Sequence, residues 1–208
     1  MQYLVKTPWW MKKLVPGATW SVDTQEPVIY LSFDDGPHPD ITPKVLDILN
    51  QYHASACFFC VGANVQRYPD VYRKIIDAGH TVGNHTYHHL NGWRTKDKKY
   101  MEDIAHAAKY IDSRLFRPPY GRLGLFQRKL LAKPAYDMKV VMWSVLSGDF
   151  DPKISPEQCL DHVLLNTGAG DIVVFHDSEK AANRMLFALP RVLEYFSGKG
   201  FRFERLQL

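Results

Sequence analysis

Cysteine is scarce. Cys57, Cys60 and Cys159 are the only three among 208 residues, an odd number and too few to staple a fold. Cys57 and Cys60 make a C-x-x-C, but inside Ala56-Cys57-Phe58-Phe59-Cys60-Val61, which reads as a buried strand. Residues three apart on a strand face opposite ways, so one metal or one bridge does not take both thiols, and core packing is the reading. Long apolar runs are missing as well: none approaches the ~20 residues that span a bilayer. So is an excess of one charge. Lys and Arg number 26 against 22 Asp and Glu, a formal charge of +4, without the clustering of a nucleic-acid binder. There is no repeat, low-complexity tract or linker. The N-terminus, MQYLVKTPWWMKK, lacks an uninterrupted apolar core and a small-residue cleavage site, so no signal peptide is read and the expected location is cytoplasmic.

What the chain does have is apolar content, 46% hydrophobic with 13% aromatic, enough for one sizeable core at a length that favours a single domain. Short apolar or β-branched runs at 28–33, 56–61, 81–83, 115–117, 140–145, 171–175 and 201–206 alternate with segments of helical period. Thr42 followed by Pro43 reads as an N-cap with proline at the first helical position. Ser155-Pro156-Glu157-Gln158 repeats the device with a capping box. Met101, Ile104, Ala105, Ala108 and Ile111 form one apolar stripe, and Met185, Leu189, Val192 and Phe196 another, with Pro190 kinking that helix or marking its start. Strand–helix alternation over the whole length predicts a parallel α/β fold.

Nearly every cluster of reactive side chains falls just after an apolar run. Asp34-Asp35-Gly36 follows the first, His85–His89 the third, Arg117-Pro118-Pro119-Tyr120 ends the fourth, Asp149 lies beyond Val145, and His176-Asp177 ends the sixth. In a parallel barrel all strand C-terminal ends open on one face, so these residues converge there. Seven runs in 208 residues predict a short or incomplete barrel. Asp34 and Asp35, adjacent at a strand end, have different neighbours and so different roles open to them. His85 and His89 are four apart, so one helical turn puts both imidazoles on the same side. Two histidines and a carboxylate leave coordination positions open on Zn²⁺ or another divalent transition metal. His88 is out of phase with that pair. Asp177 points away from His176 and reads as a cap on the next helix.

The segments SFDDGP, HTYHH, RPPYG, Trp143 to Asp149 and Val174-Phe175-His176, in that order, resemble the five motifs of the polysaccharide deacetylase (NodB-homology, carbohydrate esterase family 4) domain. The resemblance runs from about Val28 to the C-terminus. It implies a distorted (β/α)7 barrel, divided here into an N-terminal covering segment (1–27) and a deacetylase domain (28–208). It also implies metal-dependent removal of acetyl groups from N-acetylated amino sugars or oligosaccharides, a carbohydrate partner and no nucleic acid. On that resemblance Asp35, His85 and His89 hold the metal, which is Zn²⁺ or else Co²⁺, Mn²⁺ or Ni²⁺. Asp34 is the general base and Arg117 orients it. The backbone N–H of Tyr120 supports the oxyanion, since Pro118 and Pro119 have none to offer. His176 is the general acid and Asp149 holds it as imidazolium. Trp143 and Tyr120 wall the pocket.

The fourth motif departs from the family's W-D-x-D-x-x-D-W: Leu146 stands for an acidic residue and Phe150 for Trp, while Asp149 is retained. Two rival readings are a hydrolase of small non-sugar amides on the same scaffold and a non-catalytic carbohydrate-binding relative. Residues 1–20, with Trp9, Trp10 and Trp20 among lysines, read as a cover over one barrel end in preference to a membrane-surface patch.

Overall fold

The computed structural model describes residues 3–13 and 15–207. In chain order its elements are α1 (Trp9–Lys12), β1 (Val28–Asp34), α2 (Ile41–Gln51), β2 (Ala56–Cys60), α3 (Gly62–Arg67), α4 (Pro69–Asp77), β3 (Thr81–Asn84), α5 (Asp97–Ala107), β4 (Leu115–Phe116), a 3₁₀ turn (Pro119–Gly121), α6 (Leu125–Leu131), β5 (Lys139–Val140), β6 (Val145–Leu146), α7 (Pro156–Leu164), β7 (Ile172–His176), α8 (Ala182–Gly198) and β8 (Arg202–Phe203). No helix among the described residues is long and apolar enough to cross a membrane.

The strands pair in parallel in the order β5-β4-β3-β2-β1-β7-β6, with β8 added beside the start of β1. The expected run 140–145 is therefore two strands, not one, and the run at 201–206 lies off the barrel path. β5 and β6 are opposite edges of the sheet, yet only residues 141–144 join them. A link that short reaches at most ~18 Å, so the sheet must curl until its edges nearly meet. Here is the distorted (β/α)7 barrel, as a single domain. The N-terminal segment pairs with both edges: Thr19 exchanges backbone hydrogen bonds with Val140 and Met142, and residues 5–7 do so with Ser144 and Leu146.

β1 lies inside the sheet between β2 and β7 and is buried along nearly its whole length, as a mostly apolar interior strand requires. Phe33 stacks between Phe58 of β2 and Phe175 of β7, at centroid distances of 4.9 and 6.1 Å. Cys57 and Cys60 are buried, free and in different apolar clusters on the two faces of β2.

Helix ends follow the sequence in part. Ser155 caps α7, accepting the Gln158 N–H while the Gln158 side chain accepts that of Ser155. Thr42 is no cap: α2 begins at Ile41, because the Thr42 hydroxyl is engaged elsewhere, accepting the His38 N–H and donating to Asp177. Pro43 still falls in the first turn, where its missing N–H costs nothing. On α5 the buried stripe is Tyr100, Met101, Ile104 and Ala107, while Ala105 and Ala108 are exposed. The stripe of α8 is buried as expected, and Pro190 lies within that helix, not at its start.

Phe33→Ala should cost about 3–5 kcal/mol, the usual range for a fully buried aromatic. Urea denaturation followed by circular dichroism measures it, and a loss under about 1 kcal/mol would contradict the central place given to this ring.

Candidate active site

Asp34 ends β1 with Phe59 and His176 as its register partners on the neighbouring strands. Arg117, one residue past β4, has no solvent exposure. Burying a guanidinium costs several kcal/mol unless its donors are matched. Here they are: Nη1 donates to Asp34 Oδ1 at 2.7 Å and to Ser32 Oγ at 2.8 Å, Nη2 to the Met142 carbonyl at 2.9 Å and Nε to that of Val141 at 3.3 Å. The Phe59 ring lies 4.0 Å from its centre. Asp34 is thereby clamped in one orientation at the rim of the barrel.

Asp35 turns away from the strand in the left-handed region, at φ 79°. That change of hand brings its carboxylate toward the loop after β3: Oδ1 lies 3.1 Å from His89 Nε2 and 3.8 Å from His85 Nε2. One ligand atom from each of the three residues lies within 4.8 Å of the others. His85 Nδ1 is 2.7 Å from the Arg117 carbonyl, which only accepts, so Nδ1 carries the proton and the Nε2 lone pair faces Asp35. Burial pushes the His85 imidazole down to about 4, and the nearby carboxylates of Asp34 and Asp35 resist only in part. It is neutral at pH 7, the form that binds a metal. Burial works against the charge on Asp35, but the hydrogen bond to His89 and the charge of His176, joined at low pH by those of protonated His85 and His89, outweigh it and hold the carboxyl well below the usual range. A neutral imidazole of fixed tautomer beside an ionised carboxylate and a second imidazole is a donor set that fits a divalent transition metal.

His176 ends β7. Its Nδ1 lies 2.7 Å from Asp149 Oδ1, and its backbone N–H donates to Asp149 Oδ2 at 2.7 Å. Asp149 is fully buried. Burial favours a neutral His176, but the charge and hydrogen bond of Asp149, with Asp35 and Asp34 behind them, push the imidazole up to about 10. The Phe150 ring stands edge-on to it at 5.3 Å, so the residue in place of the motif's Trp still packs against the imidazole.

The histidine loop is not a helical turn. Thr86 and His89 are both left-handed, at φ 62° and 55°, and the loop brings the two imidazoles to 5.0 Å without a helix. His88 turns outward to Asp103, whose carboxylate also accepts the N–H groups of Tyr87 and His88. Asp103 was legible only as an acid between the buried Met101 and Ile104, and it pins the loop that carries His85 and His89. Asp177 does not cap α8, whose N-cap is Ala181. It is buried, accepts the Gly36 N–H and the Thr42 hydroxyl, and so braces the turn after Asp35. Burial, with the charge of Asp35 added, pushes its carboxyl up to about 7 against the hydrogen bond from Thr42. Asn64, which donates to the Asp35 carbonyl, lies in no motif, and Ser32, though it opens SFDDGP, carries no mark of its bond to Arg117. Tyr120 is exposed, with its hydroxyl 3.1 Å from His89 Nδ1. Trp143 is half-buried under Gly121, where a Cβ would come within 2.7 Å of its ring.

Residues 21–138 match the family described as polysaccharide deacetylase. The chain belongs to the polysaccharide deacetylase family. This deacetylase-family chain is 36% identical over 191 residues to a peptidoglycan-N-acetylglucosamine deacetylase of Bacillus cereus, covering 89% of each. It is 33% identical over 171 residues to a chitooligosaccharide deacetylase of Azorhizobium caulinodans, covering 78% of this chain and 80% of that one. A crystal structure of a peptidoglycan N-acetylglucosamine deacetylase in complex with 4-naphthalen-1-yl-N-oxidanyl-benzamide superposes with a TM-score of 0.87 at 28% identity, over 96% of this chain and 95% of that one. A family 4 carbohydrate esterase from Streptomyces lividans in complex with acetate gives 0.75 at 27% identity, over 93% and 94%. The deacetylase family is metal-dependent, and the Asp35, His85 and His89 cluster is this chain's possible metal site.

His85→Ala and His89→Ala should each empty the site, whereas His88→Ala should lower metal affinity by at most the ~10–100-fold seen when groups behind the ligands are lost. Metal content by mass spectrometry after dialysis measures this. Equal depletion in His88→Ala and His89→Ala would remove His89 from the ligand set.

Proposed function

We propose that this chain hydrolyses the acetamide of N-acetylated amino sugars or their oligomers, releasing acetate and leaving a free amine. One observation carries the reading: three side chains that could hold a metal ion, the Arg117–Asp34 pair and the Asp149–His176 pair meet at the C-terminal rim of one barrel. The deacetylase names of the relatives support the substrate class.

Asp35, His85 and His89 would hold Zn²⁺, or else Co²⁺, Mn²⁺ or Ni²⁺. Bound there, such an ion supplies Lewis acidity to the acetyl carbonyl and to water. Asp34 accepts the proton of the attacking water on its carboxylate, and Arg117 fixes the direction in which that oxygen points. The Tyr120 N–H donates to the developing oxyanion; the two prolines before it leave it as the first donor in that loop. His176, with Nδ1 tied to Asp149, protonates the leaving nitrogen from Nε2. The C–N bond then breaks with the amine leaving neutral. Val5, Thr7 and Thr19 brace the barrel seam through their backbone.

Acetate release from N-acetylglucosamine oligomers, peptidoglycan and small amides tests the reading, with turnover expected on the first two. Asp34→Asn should retain metal and fold but abolish turnover, because an amide does not accept the water's proton. Asp35→Asn should lose metal and turnover together. Near-normal turnover in Asp34→Asn would move the base elsewhere.

The acid is tested by leaving group. An amide nitrogen must be protonated before it leaves, while an aryl oxide departs without help. His176→Ala should therefore lower deacetylation by ~10²–10⁴-fold and spare more of the hydrolysis of an aryl acetate. Equal losses on both would make His176 a structural residue. The Asp149 carboxylate favours the charged imidazole, so removing its charge lowers the pKa of His176. The protonated acid is then lost at lower pH, and in Asp149→Asn the alkaline limb of the pH–rate profile should move toward acid with metal still bound.

A further inference from the structure

Beside the candidate active site, two loops are locked together by one buried side chain. Gln127 is 1% exposed; its Oε1 accepts the Gly124 N–H and its Nε2 donates to the Gly92 carbonyl. The approach is close enough that a Cβ on Gly92 would lie 2.3 Å from the Arg122 carbonyl oxygen. One loop continues from His89 and carries Trp93; the other carries Tyr120 and Arg122. Trp93 is held at two points. Its indole N–H donates to the Leu123 carbonyl at 3.1 Å, and the Arg122 guanidinium covers one face at 4.1 Å. Even so, 63% of Trp93 remains in water.

An indole fixed by a hydrogen bond and a stacked cation, yet largely solvated, gains little for the free protein from its second face. Covering an aromatic face is favourable, and here one face stays open to water. Rigidity lowers the cost of covering it later, since no rotamer has to be frozen on binding. We infer that Trp93 is a stacking platform for a pyranose ring, one or more sugars removed from the unit that is deacetylated, which lies on the indole face opposite the Arg122 guanidinium.

Three features favour a sugar over a lipid or another protein. The platform is continuous with the candidate active site, because Tyr120, two residues from Arg122, lies on His89. Trp93 is four residues from His89, which limits their Cα separation to ~14 Å, within reach of a short oligosaccharide. The indole face that Arg122 leaves open is flat and apolar, the shape of a sugar's C–H face, whereas an acyl chain has no flat face to lay on it. The inference rests on the deacetylase reading for its substrate class and adds a preference for oligomers over single sugars.

The test uses the full chain and two ligands, N-acetylglucosamine and its tetramer. Calorimetric binding and kcat/KM for acetate release are measured for wild type, Trp93→Ala and Trp93→Phe. Trp93→Ala should weaken the tetramer by about tenfold, the scale of one lost aromatic contact, with a much smaller effect on the monomer. Trp93→Phe should recover most of the difference, and melting temperatures should match, since the side chain is exposed. Equal effects on both ligands, or none, overturn the platform. So does a Trp93→Ala change seen only in self-association or in binding to anionic vesicles. If wild type releases no acetate from any glycan but binds the tetramer through Trp93, the platform stands and the deacetylase reading fails. If acetate is released and Trp93→Ala changes neither binding nor rate, the deacetylase reading stands and the platform fails.

Discussion

Four residues between β5 and β6 constrain everything else. They join opposite edges of a seven-strand parallel sheet, so the sheet has to curl, and curling points every strand's C-terminal end toward a common centre. Asp34, His85, Arg117, Asp149 and His176 come from strands or strand ends scattered over more than 140 positions of sequence, and this one short link makes them neighbours. The residual gap between the edges is filled by backbone from the N-terminal segment, which satisfies groups that an open edge would leave to solvent.

Convergence alone does not orient side chains, and here the backbone is bent to do it. Asp35, Thr86, His89 and Tyr120 all occupy the left-handed region, where a residue with a Cβ is disfavoured. Such conformations persist only when their surroundings over-determine them. For Asp35 and the histidine loop the surroundings include two buried acidic side chains. Asp177 holds the turn after Asp35, and Asp103 holds the loop between the two histidines, each through backbone N–H groups.

The alternation of apolar runs and helical periods made the parallel fold legible, and the placement of polar clusters after those runs made the common rim legible. The pairs Arg117–Asp34 and Asp149–His176 followed from motif resemblance, and the distances accord with them. What the sequence hid was hand and direction. Spacing of four between His85 and His89 suggested a helical turn, but left-handed loop residues achieve the same convergence. Asp177 read as a helix cap because a short acidic side chain after a strand commonly is one. Its burial beside Gly36 depends on the start of α2 lying against the end of β7, a long-range fact. The split of 140–145 was likewise invisible, since an apolar run carries no mark of where it leaves one sheet edge for the other.

Arg117 meets two partners by two different routes: its guanidinium grips Asp34 and its main-chain carbonyl fixes the tautomer of His85. Mutagenesis at this position therefore reports on one route only. Any replacement removes the grip on the carboxylate while the carbonyl survives every side-chain change, so alanine scanning will assign to Arg117 a smaller share of the site's order than it holds. Reading the hidden share requires editing the chain itself, for example by replacing the peptide bond after Arg117 with an ester to weaken that carbonyl as an acceptor.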